Sequence, residues 1–183
     1  MFNGLTGKRK VDQVILVDTR EQKNSHVEKA FKALGIPFDR SKLYVGDYTL
    51  VNDQSVCVDR KGGLQEVYSN TVQQHQRFRA ECARAQQAGI RLIVLVEQDG
   101  IRSLEDVASW KNPRADRWDF INRMHSFGKM TDVRISPRRP VDSERLMNIM
   151  RSMQLKYGIE WQFTTHKDCG TRIARILGEV GIG

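Results

Sequence analysis

Two short apolar runs, Val14-Ile15-Leu16-Val17 and Leu92-Ile93-Val94-Leu95-Val96, constrain the fold of this chain more than anything else in it. Neither alternates with polar residues, so each needs cover on both faces, and strands buried that way lie in a sheet with helices on either side. The rest of the chain supplies the helices. Val27, Ala30, Phe31 and Leu34 share one helical stripe, which begins at an S-x-x-E capping box, Ser25 to Glu28, and ends at Gly35 with Pro37 just beyond. A second helix is predicted from Leu64 to Ala88, with Val67, Thr71, Phe78, Cys82 and Ala85 near one face and Gly89 as its stop. Asp142 is placed to cap a third helix, which carries Leu146, Ile149, Met150 and Met153 and stops at Gly158. Ile159, Trp161 and Phe163 then alternate as a strand, and Ile173, Ile176, Leu177 and Val180 stripe a closing helix. The expected class is α/β, a central mixed sheet flanked by helices.

Chemistry concentrates between the first two helices. Two strand-like runs, Leu43 to Val51 and Val56 to Lys61, flank the turn-prone Asn52-Asp53-Gln54. A three-residue loop there pairs Val51 with Ser55, Leu50 with Val56 and Tyr48 with Val58, and it sets Asp47 directly opposite Asp59. Opposed carboxylates repel unless a cation lies between them, and hard oxygen donors select Mg²⁺ or Mn²⁺. Alternation along the strand puts Cys57, Asp59 and Lys61 on one face and Val56, Val58 and Arg60 on the other. An ammonium beside a carboxylate-bound metal suits phosphodiester hydrolysis, where it orients or deprotonates water or stabilises developing charge. A one-residue slip in register would undo this arrangement. Asp18 and Glu21, where the first strand runs out, add two more acids, with Arg20 and Arg60 as their natural ion-pair partners.

The formal net charge is +8, which favours a polyanionic partner. Five of those charges come from Trp110 to Pro140, which holds eight Lys or Arg against three Asp. We read about 101–140 as a basic insertion within a single domain spanning 1–183. Ser103 with Asp106 is expected to cap a short helix entering it, and Trp118, Ile121 and Met124 to stripe a second. Lys111, Arg114, Arg117, Arg123, Arg138 and Arg139, interleaved with Trp110, Trp118 and Phe127, are candidate DNA contacts. Arg77, on the helix after Lys61, is another. His75, two residues before Arg77, is not expected to be a ligand. Cys57, Cys82 and Cys169 form no C-x-x-C pair and fit reduced thiols better than disulfides or a structural zinc. The absence of long apolar runs or a signal-like start, Met1 to Lys10, leads to the expectation of a soluble, cytoplasmic chain with no membrane partner.

Three blocks, Val17-Asp18-Thr19-Arg20-Glu21, Leu43-Tyr44-Val45-Gly46-Asp47-Tyr48 and Val58-Asp59-Arg60-Lys61, together resemble the nuclease domain of the XPF family of structure-specific endonucleases. That family carries V-D-x-R-E, G-D-Y and E-R-K in this order. The resemblance is close from Val14 to Glu97 and looser from Asp142 to Val180. It implies a PD-(D/E)XK, restriction-endonuclease-like fold and a DNA endonuclease dependent on Mg²⁺ or Mn²⁺. Carried over, it makes Asp47, Asp59 and the Arg60 backbone carbonyl metal ligands and Lys61 the catalytic lysine. Asp18 and Glu21 join the catalytic acids, while Arg20 and Arg60 become structural or phosphate-facing. It also implies DNA as partner, pairing of nuclease domains into a homodimer and no small-molecule cofactor. Three features depart from the family. Asp59 stands in place of glutamate, Gln65 occupies the expected acidic position with Glu66 beside it, and the chain lacks room for a tandem helix-hairpin-helix domain. A small phage- or prophage-type nuclease fits the last of these, and a catalytically inactive nuclease-fold scaffold is the rival.

Overall fold

The computed structural model describes residues 14–180; the leading segment, Gly181-Ile182-Gly183 and the Glu179 and Val180 side chains lie outside the described residues. Six strands form one sheet: β1 (Ile15–Asp18), β2 (Phe38–Ser41), β3 (Tyr48–Leu50), β4 (Val56–Lys61), β5 (Arg91–Glu97) and β6 (Glu160–Thr164), in the order β2-β1-β3-β4-β5-β6. β1 runs parallel to β2, and β5 runs parallel to both β4 and β6, while β3 lies antiparallel between β1 and β4. The sheet is therefore mixed, as expected.

Alternation along β4 and β5 divides the core in two. Cys57, Val94 and Val96 pack toward α2 (Leu64–Tyr68), α3 (His75–Gln87) and α5 (Ser143–Tyr157). Val56, Val58, Ile93 and Leu95 pack toward α1 (Ser25–Ala33) and α6 (Cys169–Val180). β5 is thus covered on both faces, which is why Leu92 to Val96 tolerates no polar residue. All five stripe residues from Val67 to Ala85 are buried.

Several local expectations fail for identifiable reasons. Ser25 is the first helical residue of α1 rather than its cap. Asn24 precedes the helix without a side-chain cap bond, and the Glu28 carboxylate turns to Arg40 instead of reaching back. The long helix is broken: a π-helical turn over Ser69–Gln73 separates α2 from α3. β2 was not anticipated, because Phe38-Asp39-Arg40-Ser41 is a half-exposed edge strand with no apolar alternation. The run from Leu43 is strand only over Tyr48–Leu50, and the Val51 N–H bonds the Val14 carbonyl rather than closing a hairpin with Ser55. Other expectations hold. The Asp142 carboxylate accepts from Arg145 N at the start of α5, Gly158 ends that helix, and Ser103 and Asp106 cap each other before a 3₁₀ turn at Glu105–Ser109. α4 (Pro113–Ser126) follows, with Ile121 buried; Trp110 packs on the core, and Trp118 is tied to the Ser136 carbonyl.

α1 and α6 approach closely because Gly170 has no side chain. A Cβ there would lie 2.5 Å from the Ala30 Cβ and 3.0 Å from the Val27 carbonyl oxygen. Gly170→Ala is expected to lower stability by about 1–3 kcal/mol through overpacking. Ala30→Gly in the same chain should recover part of the loss in a denaturant titration. Equal stability of wild type and Gly170→Ala would show that the two helices part without cost.

Candidate active site

β1, β4 and β5 end on the same side of the sheet, at Asp18, Lys61 and Glu97. A cleft of about 310 Å³ opens there, lined by Arg20, Glu21, Asp47, Asp59, Arg60, Lys61, Glu66, Asn70, Gln74, Arg77, Phe78, Glu81 and Arg84. Its floor is almost wholly polar, which strand ends in an open α/β sheet permit.

Asp59 and Lys61 project from the face of β4 that carries Cys57. The Lys61 Nζ lies 2.8 Å from Asp59 Oδ1 and 2.7 Å from Oδ2. Only the Oδ1 contact has hydrogen-bond geometry, so the buried Asp59 Oδ2 is held by the ion-pair contact alone. The ammonium also sits over the Phe78 ring, 5.1 Å from its centroid. Burial alone would lower the Lys61 pKa, but the charges of Asp59 and Asp47 outweigh it and push it above the ordinary lysine value. In this arrangement the ammonium form of Lys61 is favoured.

Asp47 reaches the cleft by another route than direct opposition. Tyr48 pairs with Val58, yet the Asp47 N–H also donates to the Val58 carbonyl, so the two residues share one partner as in a bulge. Gly46, at φ +71°, makes this turn possible, and a Cβ on it would lie 3.1 Å from both the Cys57 Cβ and the Val58 carbonyl oxygen. The Asp47 Oδ2 then accepts the Arg60 backbone N–H at 2.9 Å. Burial first, and then the Asp59 charge, push the Asp47 carboxyl well above the usual carboxylate range.

Asp18 is not brought to the cleft. It is buried, and its carboxylate accepts from Arg20 N, Arg20 Nε and Nη2, and Leu43 N, so it braces the loop before Asp47. Glu21 lines the cleft but is held by Arg60, whose guanidinium bonds Glu21 Oε1 and Glu97 Oε1, each at 2.9 Å. Arg60 is therefore the structural partner of these acids. Glu66 lines the cleft and accepts from Gly62 N, whereas Gln65 turns to Asn112 and Arg114. The reading from sequence overlooked Glu81, which lines the cleft from α3 and accepts the Gly46 N–H at 3.1 Å. His75 does not line it; His26 and His166 lie behind Arg60, against Glu97.

The oxygen donors fit a hard divalent cation. Asp59 presents an oxygen outside any hydrogen bond, Asp47 resists ionisation where it stands, and Glu66 stands beside them.

A comparison with known protein families matches residues 17–175 to the ERCC4 domain. The chain belongs to the ERCC4 domain family. Solved structures share the fold of this ERCC4 domain. XPF from Aeropyrum pernix in complex with DNA superposes at a TM-score of 0.58 with 20% identity, and a structure titled XPF from Aeropyrum pernix does so at 0.60 with 19%. Each match covers 92% of this chain and 65% of the other, so the ERCC4 domain described here spans just under two thirds of those chains. No functionally curated protein sequence matches it. The restriction-endonuclease-like architecture expected from the three motifs is the fold of this domain.

The candidate DNA contacts divide into two groups. Arg114 is engaged by Gln65 and Gln73 and lies over the Tyr68 ring, and Arg139 is paired with Asp119. Arg77, Lys111, Arg117, Arg123 and Arg138 are exposed, and among the described residues no ion pair holds them.

Proposed function

We propose that this ERCC4 domain is a metal-dependent DNA endonuclease acting on branched or otherwise structured DNA. The observation that carries the reading is the buried Asp59 carboxylate held against the Lys61 ammonium, with Oδ2 in ion-pair contact alone, on the floor of a cleft that Arg77 borders. Asp47, Asp59, Glu66 and the Arg60 carbonyl are the groups that would hold Mg²⁺ or Mn²⁺. When bound, such a cation neutralises phosphate charge and activates water. Lys61 donates to the phosphate or to the attacking water, and its tether to Asp59 fixes that position. Asp18 acts at one remove by bracing the loop that carries Asp47. The basic segment between β5 and α5 and the exposed arginines of α3 extend the contact to flanking phosphates. Pairing of two nuclease domains belongs to the same proposal. No helix among the described residues is long and apolar enough to cross a membrane.

The test is cleavage of labelled flap, fork, four-way junction, duplex and single-stranded DNA with Mg²⁺, Mn²⁺ or EDTA. Metal-dependent incision with a preference among these substrates is expected. Tight binding without incision of any of them, by folded protein, would instead establish a scaffold. Arg77→Ala and Arg117→Ala should each weaken binding across all sequences and lower the slope of log affinity against log salt by about one. An unchanged slope would remove these side chains from the interface.

A further inference from the structure

The strand alternation that turns Asp59 and Lys61 toward α3 turns Arg60 and Glu97 the other way, toward α1 and α6. Four groups from separate elements converge on the Glu97 carboxylate there. His26 Nε2, from α1, lies 2.7 Å from Oε1, and His166 Nδ1, from the turn after β6, lies 2.7 Å from Oε2. The Cys169 thiol, at the first residue of α6, is hydrogen-bonded to the same carboxylate, and Arg60 donates to Oε1 at 2.9 Å. The ligand atoms of His26, Glu97 and Cys169 all lie within 4.8 Å of one another.

We infer that His26, Glu97 and Cys169, with His166 as fourth donor, form a second metal site, distinct from the carboxylate cleft and suited to Zn²⁺ or a similar borderline ion. Two imidazole nitrogens, a sulfur and a carboxylate are the donor types zinc takes, whereas Mg²⁺ takes oxygen. Bond lengths of about 2.0–2.3 Å to zinc place its donors roughly 3–4 Å apart, so ligation asks for small shifts from the observed contacts. Those contacts are what the proton-bearing form shows, with hydrogens on the imidazoles and thiol filling the place of the ion. Charge favours the exchange. Leaving the two imidazoles aside, Glu21 and Glu97 face a single guanidinium, Arg60, with one negative charge in excess. A dication bound by the Cys169 thiolate adds one positive charge and closes that balance. There is an entry path as well, because Glu97 and Cys169 are buried but the His166 side chain is 70% exposed. The expectation from sequence that no structural zinc is present rested on the absence of paired cysteines. It misses a site whose first and last ligands, His26 and Cys169, lie 143 residues apart in the chain.

The test is titration of the reduced chain with Co²⁺ in the Asp59→Asn background, which disables the carboxylate cleft. A stoichiometric near-ultraviolet thiolate-to-cobalt charge-transfer band is expected, retained in Cys57→Ser and Cys82→Ser and lost in Cys169→Ser. Zn²⁺ should displace the cobalt and raise the melting temperature. His166→Ala and His26→Ala should each weaken binding by about 10–100-fold, which keeps the test decisive if Cys169→Ser does not fold. Absence of the band, its survival in Cys169→Ser, or unchanged affinity in both histidine variants overturns the inference. Each readout is independent of whether the protein cuts DNA.

Discussion

Lys61→Met is expected to leave a folded protein that still binds DNA and cuts it about 10²–10³-fold more slowly, the usual cost of removing one well-placed donor from a developing charge. Methionine keeps an apolar side chain of similar length and removes the ammonium, which sits over the Phe78 ring. Two effects compete in this variant. Loss of the cation leaves Asp59, 3% exposed, without its ion-pair partner, and breaking a buried pair costs about 3–5 kcal/mol. A divalent cation shared by Asp47 and Asp59 offsets that cost, so Mg²⁺ or Mn²⁺ should stabilise Lys61→Met more than wild type.

Asp59→Asn separates the roles. It retains an uncharged side chain of the same shape, so the expected outcome is loss of both cleavage and metal-induced stabilisation. If Lys61→Met cuts at the wild-type rate, the lysine has no part in the reaction and the proposed site is wrong. If Asp59→Asn keeps its metal-induced thermal shift, the cation is held elsewhere.

The legible parts of this molecule were those that local periodicity controls. Leu92 to Val96 had to be a doubly covered strand, and the period of two along β4 was enough to put Asp59 and Lys61 on one face and Arg60 on the other. What escaped depends on long-range geometry or on a single backbone angle. Asp47 was read as directly opposed to Asp59, but the positive φ of Gly46 shifts it onto the Arg60 N–H. Glu81 escaped because its partner, Gly46, is 35 residues away and nothing in α3 distinguishes it from other polar residues of that helix. Asp18 carries the motif yet bonds Arg20 and Leu43 and does not line the cleft, since a V-D-x-R-E pattern does not say whether the acid faces the cleft or its own arginine. The π turn at Ser69–Gln73 interrupts a helical stripe without disturbing which residues are apolar, so periodicity could not reveal it.

Arg60→Met should be strongly destabilising. Arg60 is 7% exposed and is the one guanidinium between Glu21 and Glu97, so its loss strands two carboxylates, one of them buried at 3% exposure. The expected cost is about 3–5 kcal/mol, a fall in melting temperature of roughly 6–20 °C for a domain of this size. A surface salt bridge such as Arg139 with Asp119 supplies the contrast, because Arg139→Met should leave the melting temperature nearly unchanged. The pH dependence gives a second readout. Burial would raise the Glu97 carboxyl, but hydrogen bonds from His166, Cys169, His26 and Arg60 outweigh it and hold it at about 2, against an ordinary value of 4.5. A depressed folded-state pKa means that this contribution is full above about pH 4.5 and is lost as the pH falls toward about 2. Without Arg60 one of those donors is gone and the Glu97 carboxyl rises, so acid unfolding of Arg60→Met should begin at higher pH than in wild type. Coincident acid-unfolding curves would mean that the histidines and Cys169 alone keep Glu97 ionised, and that Arg60 serves chiefly to position Glu21 at the cleft.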